Sequence, residues 1–315
     1  DLPFPLTMRA EDGAKAQFRA ADALKHAPQG KDYRLLRIHD LPDAERRAMV
    51  EKHLISRELL SAGESAAVLL RRDEAVCIML NEDDHLRIHA LLPDLALEKA
   101  AALAFEVDDV IGNRVQYAFD ADLGFLTSCL TNAGTGLRAS ALLHLPSLTR
   151  SGAMGQAVED LTKLGLSLRP LYGDEGDAQG ELYLIGNQVA LGFAEQEMID
   201  SIEAVIGQIV DRERAARELL LLDDDGRLED RLLRSLGILR HARLLGEAEW
   251  MRRWSDVRLA VQAGMLLMDL AKWDAMLSAA KPAHLELNAQ KELSPVERDA
   301  RRALLVREAL REARA

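Results

Sequence analysis

Along the first two thirds of this chain, short apolar runs alternate with polar clusters, whereas beyond residue 226 apolar positions recur at helical spacing. Residues 14–26 and 42–54 read as helices, the second opening on Pro42-Asp-Ala-Glu45 with acids in its first turn. Residues 33–38, 66–70, 75–80 and 86–92 are short enough for strands, with Gly63 and Arg71-Arg-Asp-Glu74 as intervening turns. Ala96, Ala100, Leu103, Val107 and Val110 then recur at steps of four and three, a helix stripe that would face a sheet. Residues 139–145 are apolar and end at Pro146, and a helix over 154–164 stops at Gly165. Strands are predicted over 166–172 and 181–185, joined by a Gly- and Asp-rich loop over 173–180, and helix resumes near 194 and runs toward 222.

Asp223-Asp-Asp-Gly226 is a poor helix interior and the best domain boundary. After it, Leu228, Leu232, Leu236 and Leu239 form one stripe, and residues 250–274 read as a continuous helix interrupted in composition by Gly264. Ser294-Pro-Val-Glu297 opens a last helix with Ser as N-cap, Pro at the first position and Glu three residues on. The expected class is α+β: an antiparallel sheet flanked by helices over 1–222, followed by an all-α domain over 223–315 whose apolar stripes call for a partner face, hence a homodimer.

Composition narrows the function. The 315 residues carry 52 acids against 40 Lys and Arg, a net charge of −12, which disfavours a general nucleic-acid binder. Apolar residues make up 48% and suffice for a sizeable core, and no run reaches transmembrane length, so no membrane partner is expected. The two cysteines, Cys77 and Cys129, give neither a disulfide framework nor a zinc pattern, no metal site is predicted, and a reducing cytoplasm fits.

Four constellations carry candidate chemistry. The stretch Thr127-Ser-Cys-Leu-Thr-Asn-Ala-Gly-Thr-Gly-Leu-Arg-Ala-Ser140 packs a thiol, hydroxyls, glycines and a guanidinium where core material is absent. It suits close approach to a charged ligand, with Cys129 an exposed thiol of lowered pKa or else a small buried hydrophobe. Asn81-Glu-Asp-Asp-His-Leu-Arg87 clusters three carboxylates, which repel unless a cation balances them; a planar guanidinium would do so, and a solvated acidic turn is the alternative. Arg169-Pro-Leu-Tyr-Gly-Asp-Glu-Gly-Asp177 reads on its own as an acidic hairpin, since Gly and Asp dominate turns. Arg298-Asp-Ala-Arg-Arg-Ala303 puts Arg298 and Arg302 four apart, either a solvated face or a fork around one anion.

Together these segments resemble the guanidino kinases, and more narrowly the bacterial protein arginine kinases. Cys129-Leu-Thr-Asn-Ala-Gly-Thr-Gly-Leu-Arg138 is similar to the family's Cys-Pro-Thr-Asn-Leu-Gly-Thr-Gly-Leu-Arg, departing at Leu130 and Ala133. The acidic loop resembles Asn-Glu-Glu-Asp-His, with Asp83 in place of the second Glu. The later loop resembles Arg-Gly-x-x-Gly-Glu-Gly-x-Glu, with Pro170, Asp174 and Asp177 as departures. Arg298-Asp-Ala-Arg-Arg-Ala303 matches Arg-Asp-x-x-Arg-Ala, and the order catalytic-then-helical is that of the bacterial enzymes.

The resemblance implies transfer of the ATP γ-phosphoryl group, with Mg²⁺, to arginine side chains of protein substrates. It implies catalytic roles for Asp83, Glu82, Cys129, Asp174 and Asp177, with Glu175 an alternative carboxylate. It implies nucleotide contacts from His53 (otherwise a structural helix-end His), Arg87, Arg138, Ala139, Ser140, Ala141, Leu142, Arg169, Pro170, Leu171, Tyr172, Gly173 and Asp174. Arg298, Asp299, Arg302 and Ala303 become an allosteric phosphoarginine site. A zinc-bearing activator protein, the Clp unfoldase–protease and a role in stress response are implied as well. The family's Ser-x-Arg-x-Arg motif precedes a Leu-Pro-Phe-Pro-like segment, and this chain opens Asp1-Leu-Pro-Phe-Pro5, so the motif is expected upstream. A phosphoarginine-binding adaptor weakened by its Asp substitutions, and a small-molecule guanidino kinase, are the alternatives.

Overall fold

The computed structural model describes residues 2–173 and 178–312. It divides into two compact units, Asp1–Ala139 with Gln188–Glu203, and Ser140–Asn187 with Ala204–Ala315.

In the first unit, β1 (Tyr33–Arg37), β2 (Ala67–Arg71), β3 (Val76–Leu80) and β4 (Leu86–Ala90) form an antiparallel sheet in that order. The central strands β2 and β3 are buried on both faces, which is why they read as unbroken apolar runs rather than alternating ones. One face, with Leu69, Ile78 and Leu80, packs on α1 (Ala10–Lys25) and α3 (Leu97–Gly112) through Leu24, Val107 and Ile111. The opposite face, with Val68, Leu70 and Met79, is covered by Ile38, by Met49 of α2 (Asp43–Glu51), and by Leu54 and Leu59. The predicted α3 stripe is present, with Val107 buried and Leu103 and Val110 packed at its edge. A small hairpin follows, β5 (Phe119–Asp120) with β6 (Gly124–Phe125).

In the second unit, β7 (Ser140–His144), β8 (Leu166–Pro170) and β9 (Leu182–Asn187) pair antiparallel in the order β7-β9-β8. Two helices lie between β7 and β8: α4 (Pro146–Arg150) and α5 (Met154–Lys163). After α6 (Glu195–Leu222), whose first turns fall in the first unit, the chain is helical: α7 (Arg227–His241), α8 (Glu247–Gln262), α9 (Leu270–Ala279), α10 (Pro282–Ala289) and α11 (Pro295–Ala309).

The helix predicted over 250–274 is two helices. Gly264 takes φ +75, which a helix cannot contain, and Asp269 caps α9 by accepting from the N–H groups of Ala271 and Lys272. The α7 stripe is covered within the chain: Leu232, Leu236 and Leu239 are buried with Trp250, Trp254 and Trp273. Those last two indoles exchange hydrogen bonds, each donating to the other's main-chain carbonyl at 3.2 Å. The apolar stripe therefore does not require a second copy to cover it. The predicted capping box of α11 is formed, Ser294 Oγ accepting from the Glu297 N–H and the Glu297 carboxylate from the Ser294 N–H.

Candidate active site

The acidic loop hangs on two residues that the sequence shows only as polar. Asn81 ends β3 at φ +58, a left-handed conformation that Asn tolerates, and is buried. Its Nδ2 donates to Gly13 O and Ser65 O, both at 3.0 Å. The His85 ring nitrogens lie 2.9 Å from Asn81 Oδ1 and 2.8 Å from Pro3 O. Between these anchors the three carboxylates part company. Glu82 is buried, accepts from Ser56 Oγ and pairs with Arg87 Nη1 at 3.0 Å. Asp84 turns the other way and accepts from the Ser128 N–H at 2.7 Å. Asp83 stands exposed between them. Partial burial, then the charges of Glu82, Asp84 and Glu58, push its carboxyl above the usual carboxylate range.

The Asp84–Ser128 bond fastens the acidic loop to the cysteine loop. The latter is seated by its own backbone: Phe125 N donates to Gly134 O at 2.8 Å, and Ala190 N to Thr131 O at 3.2 Å. Gly134 needs to be glycine, because it takes φ +103 and a Cβ there would stand 2.8 Å from Leu191 Cα. Arg138 Nη1 donates to Gln188 O. Cys129 is exposed, with Sγ 3.1 Å from Thr131 Oγ1. Hydrogen bonds from Thr131 lower its thiol pKa first; the Arg138 charge lowers it further, while the Asp83 charge opposes. Cys129 therefore lies within electrostatic reach of one candidate phosphate-binding arginine and one candidate base. Buried Cys77 is its opposite, its thiol pushed up to about 12 by burial.

His53 follows α2 at φ +59 and ends that helix in the left-handed conformation. It lies close enough to His89 for its charge to act there; burial, then Arg87, then His53 lower the His89 pKa. In the first unit the structure thus gathers Glu82, Asp83, Arg87, Cys129 and Arg138, with His53 on the Arg87 side of the sheet.

In the second unit, register places Ser140, Leu142 and Arg169 on one sheet face. Leu142 pairs with Leu184, and Leu184 with Arg169; Ser140 pairs with Gly186, and Gly186 with Ser167. Ser140, Leu142 and Arg169 are the exposed members. Ala141 falls on the other face with Ile185. Pro170 pairs with Tyr183, Leu171 N donates to Leu182 O at 2.9 Å, and Leu171 and Tyr172 pack on the helical core. Gly173 takes φ +88. Asp174, Glu175 and Asp177 lie outside the described residues.

On α11, Arg298 stands 3.7 Å from Glu286. Arg302 is buried; its Nε donates to Ala280 O at 2.8 Å and its Nη1 to Leu245 O and Asp299 Oδ1, each at 2.7 Å. A fork of Arg298 and Arg302 around one anion would draw on a guanidinium already engaged by main-chain carbonyls. Ala303 is fully buried. Ser56 carries no signal in the sequence, and within the Asn81–Arg87 constellation the sequence assigns no role to Asn81, Asp84 or His85; three adjacent carboxylates give no signal of which one turns away.

Comparison with known proteins bears on the family of the chain. Residues 15–216 match the family model of the ATP:guanido phosphotransferase C-terminal catalytic domain, and residues 225–315 that of the protein-arginine kinase McsB C-terminal domain. The chain is 42% identical over 314 residues to the protein-arginine kinase of Moorella thermoacetica, covering 98% of this chain and 89% of that one. It is 41% identical over 308 residues to that of Caldanaerobacter subterraneus subsp. tengcongensis, covering 96% and 90%. Among solved structures, a lombricine kinase superposes with TM-score 0.60 at 19% identity, over 68% of this chain and 62% of that chain. The duplicated taurocyamine kinase from Schistosoma mansoni with bound transition state analog components gives 0.63 at 19%, over 71% and 32%. At such identities these two likenesses show the fold alone.

Proposed function

Because the chain belongs to the ATP:guanido phosphotransferase family, and within it to the protein-arginine kinases, we propose that it transfers the γ-phosphoryl group of ATP to arginine side chains in proteins. The observation that carries this is the junction of the acidic and cysteine loops, where Asp84 holds the Ser128 N–H. Through it, a negative pole suited to a guanidinium (Asp83, Cys129) sits beside a positive pole suited to phosphates (Arg87, Arg138).

In-line transfer forms an N–P bond, breaks the bond from the γ-phosphorus to its bridging oxygen, and releases one guanidinium proton. Such a reaction asks for placement and charge balance more than for covalent work. We assign Asp83 as the group that orients the guanidinium and accepts its proton, a task its raised pKa favours. Cys129, its thiol acidified by Thr131, lies beside the same guanidinium and favours its charged, oriented form. Glu82 is set back; we assign it to holding Arg87 in place rather than to touching substrate. By family resemblance we assign Arg87, Arg138 and Arg169 to the nucleotide phosphates, His53 to the adenosine side, and Ala139, Ser140, Ala141, Leu142 and residues 170–173 to further nucleotide contacts. By the same resemblance one of Asp174, Glu175 and Asp177 is a second carboxylate for the guanidinium. No group of three or more His, Cys, Asp and Glu suited to a metal occurs among the described residues. Mg²⁺ enters our reading as a companion of the nucleotide's phosphates, with no residue and no step assigned to it.

We further propose that residues 1–222 act as the catalytic domain. The helical region after it would offer Arg298, Asp299 and the Ala303 turn to phosphoarginine, Arg302 serving mainly as scaffold. A homodimer, a zinc-bearing activator, delivery of marked proteins to a Clp-type protease during stress, and a cytoplasmic location follow from family membership as proposals. Leu219 and Leu222, exposed near the end of α6, are available to a partner. Among the described residues no helix is long and apolar enough to cross a membrane.

The test is incubation of the chain with γ-labelled ATP and an arginine-rich protein. Acid-labile label on the protein is expected, and Asp83→Asn is expected to slow its appearance by about 10²-fold or more. No transfer at any pH would favour the phosphoarginine-binding adaptor instead.

A further inference from the structure

We propose that Lys281 is a positioning residue for phosphoryl transfer, holding the Tyr172 end of the segment that begins at Arg169. This rests on the nucleotide role given to Arg169 above. Lys281 is 5% exposed; lysine is seldom buried unless its charge is matched. Among the described residues, two groups match it. The ammonium lies 3.9 Å from the centre of the Tyr172 ring and donates to Glu247 Oε1 at 2.8 Å. A cation over an aromatic face, screened from water and pinned from behind by a carboxylate, is the strong form of that contact.

The partners are themselves held by one side chain. Lys281 directly follows Ala280, and Glu247 lies two residues after Leu245; the carbonyls of Ala280 and Leu245 both accept from buried Arg302. Leu245 N in turn donates to Asp299 O at 3.2 Å. A continuous path of contacts therefore runs from Asp299 and Arg302 on α11, through the Lys281–Glu247 pair, to the Tyr172 ring. Tyr172 stands three residues after Arg169, and its carbonyl accepts from Gln179 N at 3.0 Å across the base of the loop. Its ring is thus a point at which the helical region grips the segment from Arg169 to Tyr172. A misplacement of about 1 Å in a group that positions substrate costs on the order of 10²-fold in rate, so a modest loosening of this grip is readable in kinetics.

The experiment is steady-state kinetics of the full chain with ATP and an arginine-rich protein, alongside thermal melts without nucleotide. Lys281→Met keeps the aliphatic stem and removes the charge; Tyr172→Leu removes the ring. Each is expected to raise the KM for ATP or lower kcat/KM about tenfold. The double variant is expected to be no worse than the worse single, and Lys281→Arg to restore most activity because a guanidinium also stacks on the ring. Wild-type kinetics for Lys281→Met, or single losses that multiply in the double variant, would overturn the proposal. If Lys281→Met does not fold, Glu247→Gln replaces it; about a threefold rise in the KM for ATP is expected, and no change counts against the proposal. If the wild-type chain transfers no phosphate, the functional reading has failed, and thermal stabilisation by ADP reads Lys281 separately: loss in Lys281→Met supports the grip, full retention overturns it.

Discussion

At the scale of single residues, the site depends on which polar groups are engaged and which are left open. Of three consecutive carboxylates, Glu82 is engaged by Ser56 and Arg87 and Asp84 by Ser128, leaving Asp83 to face solvent. Cys129 owes its acidity first to Thr131. A lowered thiol pKa means that thiolate appears at lower pH, so the rate of Cys129 alkylation by iodoacetamide should rise earlier along a pH series than for an ordinary thiol. In Thr131→Val the rise is expected to move to higher pH. An unmoved profile would show that the hydroxyl does not tune the thiol. The shorter reach of Asp83 relative to Glu was legible in the sequence. The division of labour around it was not, because Glu82 and Asp84 differ from Asp83 in their partners at residues 56 and 128 rather than in kind.

At the scale of elements, patterns that depend on neighbours along the chain were legible and those that depend on distant neighbours were not. The central strands β2 and β3 read directly as apolar runs because they are buried on both faces. The start of α11 read directly because a capping box is a four-residue signal. Ser294→Ala should therefore destabilise the chain by about 1 kcal/mol in a urea melt; an unchanged midpoint would mean the cap contributes nothing. By contrast the five-residue α4, the two-residue strands of the β5–β6 hairpin and the break at Gly264 left no periodicity long enough to see. The sheet register that puts Leu142 and Arg169 on one face was also beyond periodicity, since it is set by β9, which follows both strands in the chain.

At the scale of the whole molecule, long-range polar networks carry information that sequence order hides. Within the second unit, Nε2 of the half-buried His144 lies 2.7 Å from Ser255 Oγ, Arg258 Nη1 donates to His144 Nδ1 at 3.2 Å, and Ser255 Oγ donates to Glu181. Glu181 pairs with Arg150 at 3.0 Å, and Arg150 with Asp256 at 2.8 Å. Burial, then the charges of Arg258 and Arg150, hold the His144 ring well below its ordinary value of 6.5. Its folded pKa is depressed, so the unfolded chain takes up the proton first. The stability that neutral His144 contributes is present above pH 6.5 and is lost as pH falls below it. Thermal melts between about pH 7.5 and 5 should show a steeper loss for the wild type than for His144→Gln; parallel slopes would contradict the assignment. None of this was visible in the sequence, where His144 stands more than a hundred residues from Ser255 and Arg258. What the sequence did carry was short motifs resembling the family's, and these are what named the candidate residues.

The most direct test of the central claim compares the two acceptors that the same chemistry would serve. The chain is supplied with ATP and either an arginine-rich unfolded protein or free L-arginine, and phosphoarginine is quantified by phosphorus NMR and mass spectrometry under neutral conditions. We expect kcat/KM for protein arginine to exceed that for the free amino acid by about 10²-fold or more. Phosphorylation of free arginine with none on protein would contradict it and make this chain a small-molecule guanidino kinase.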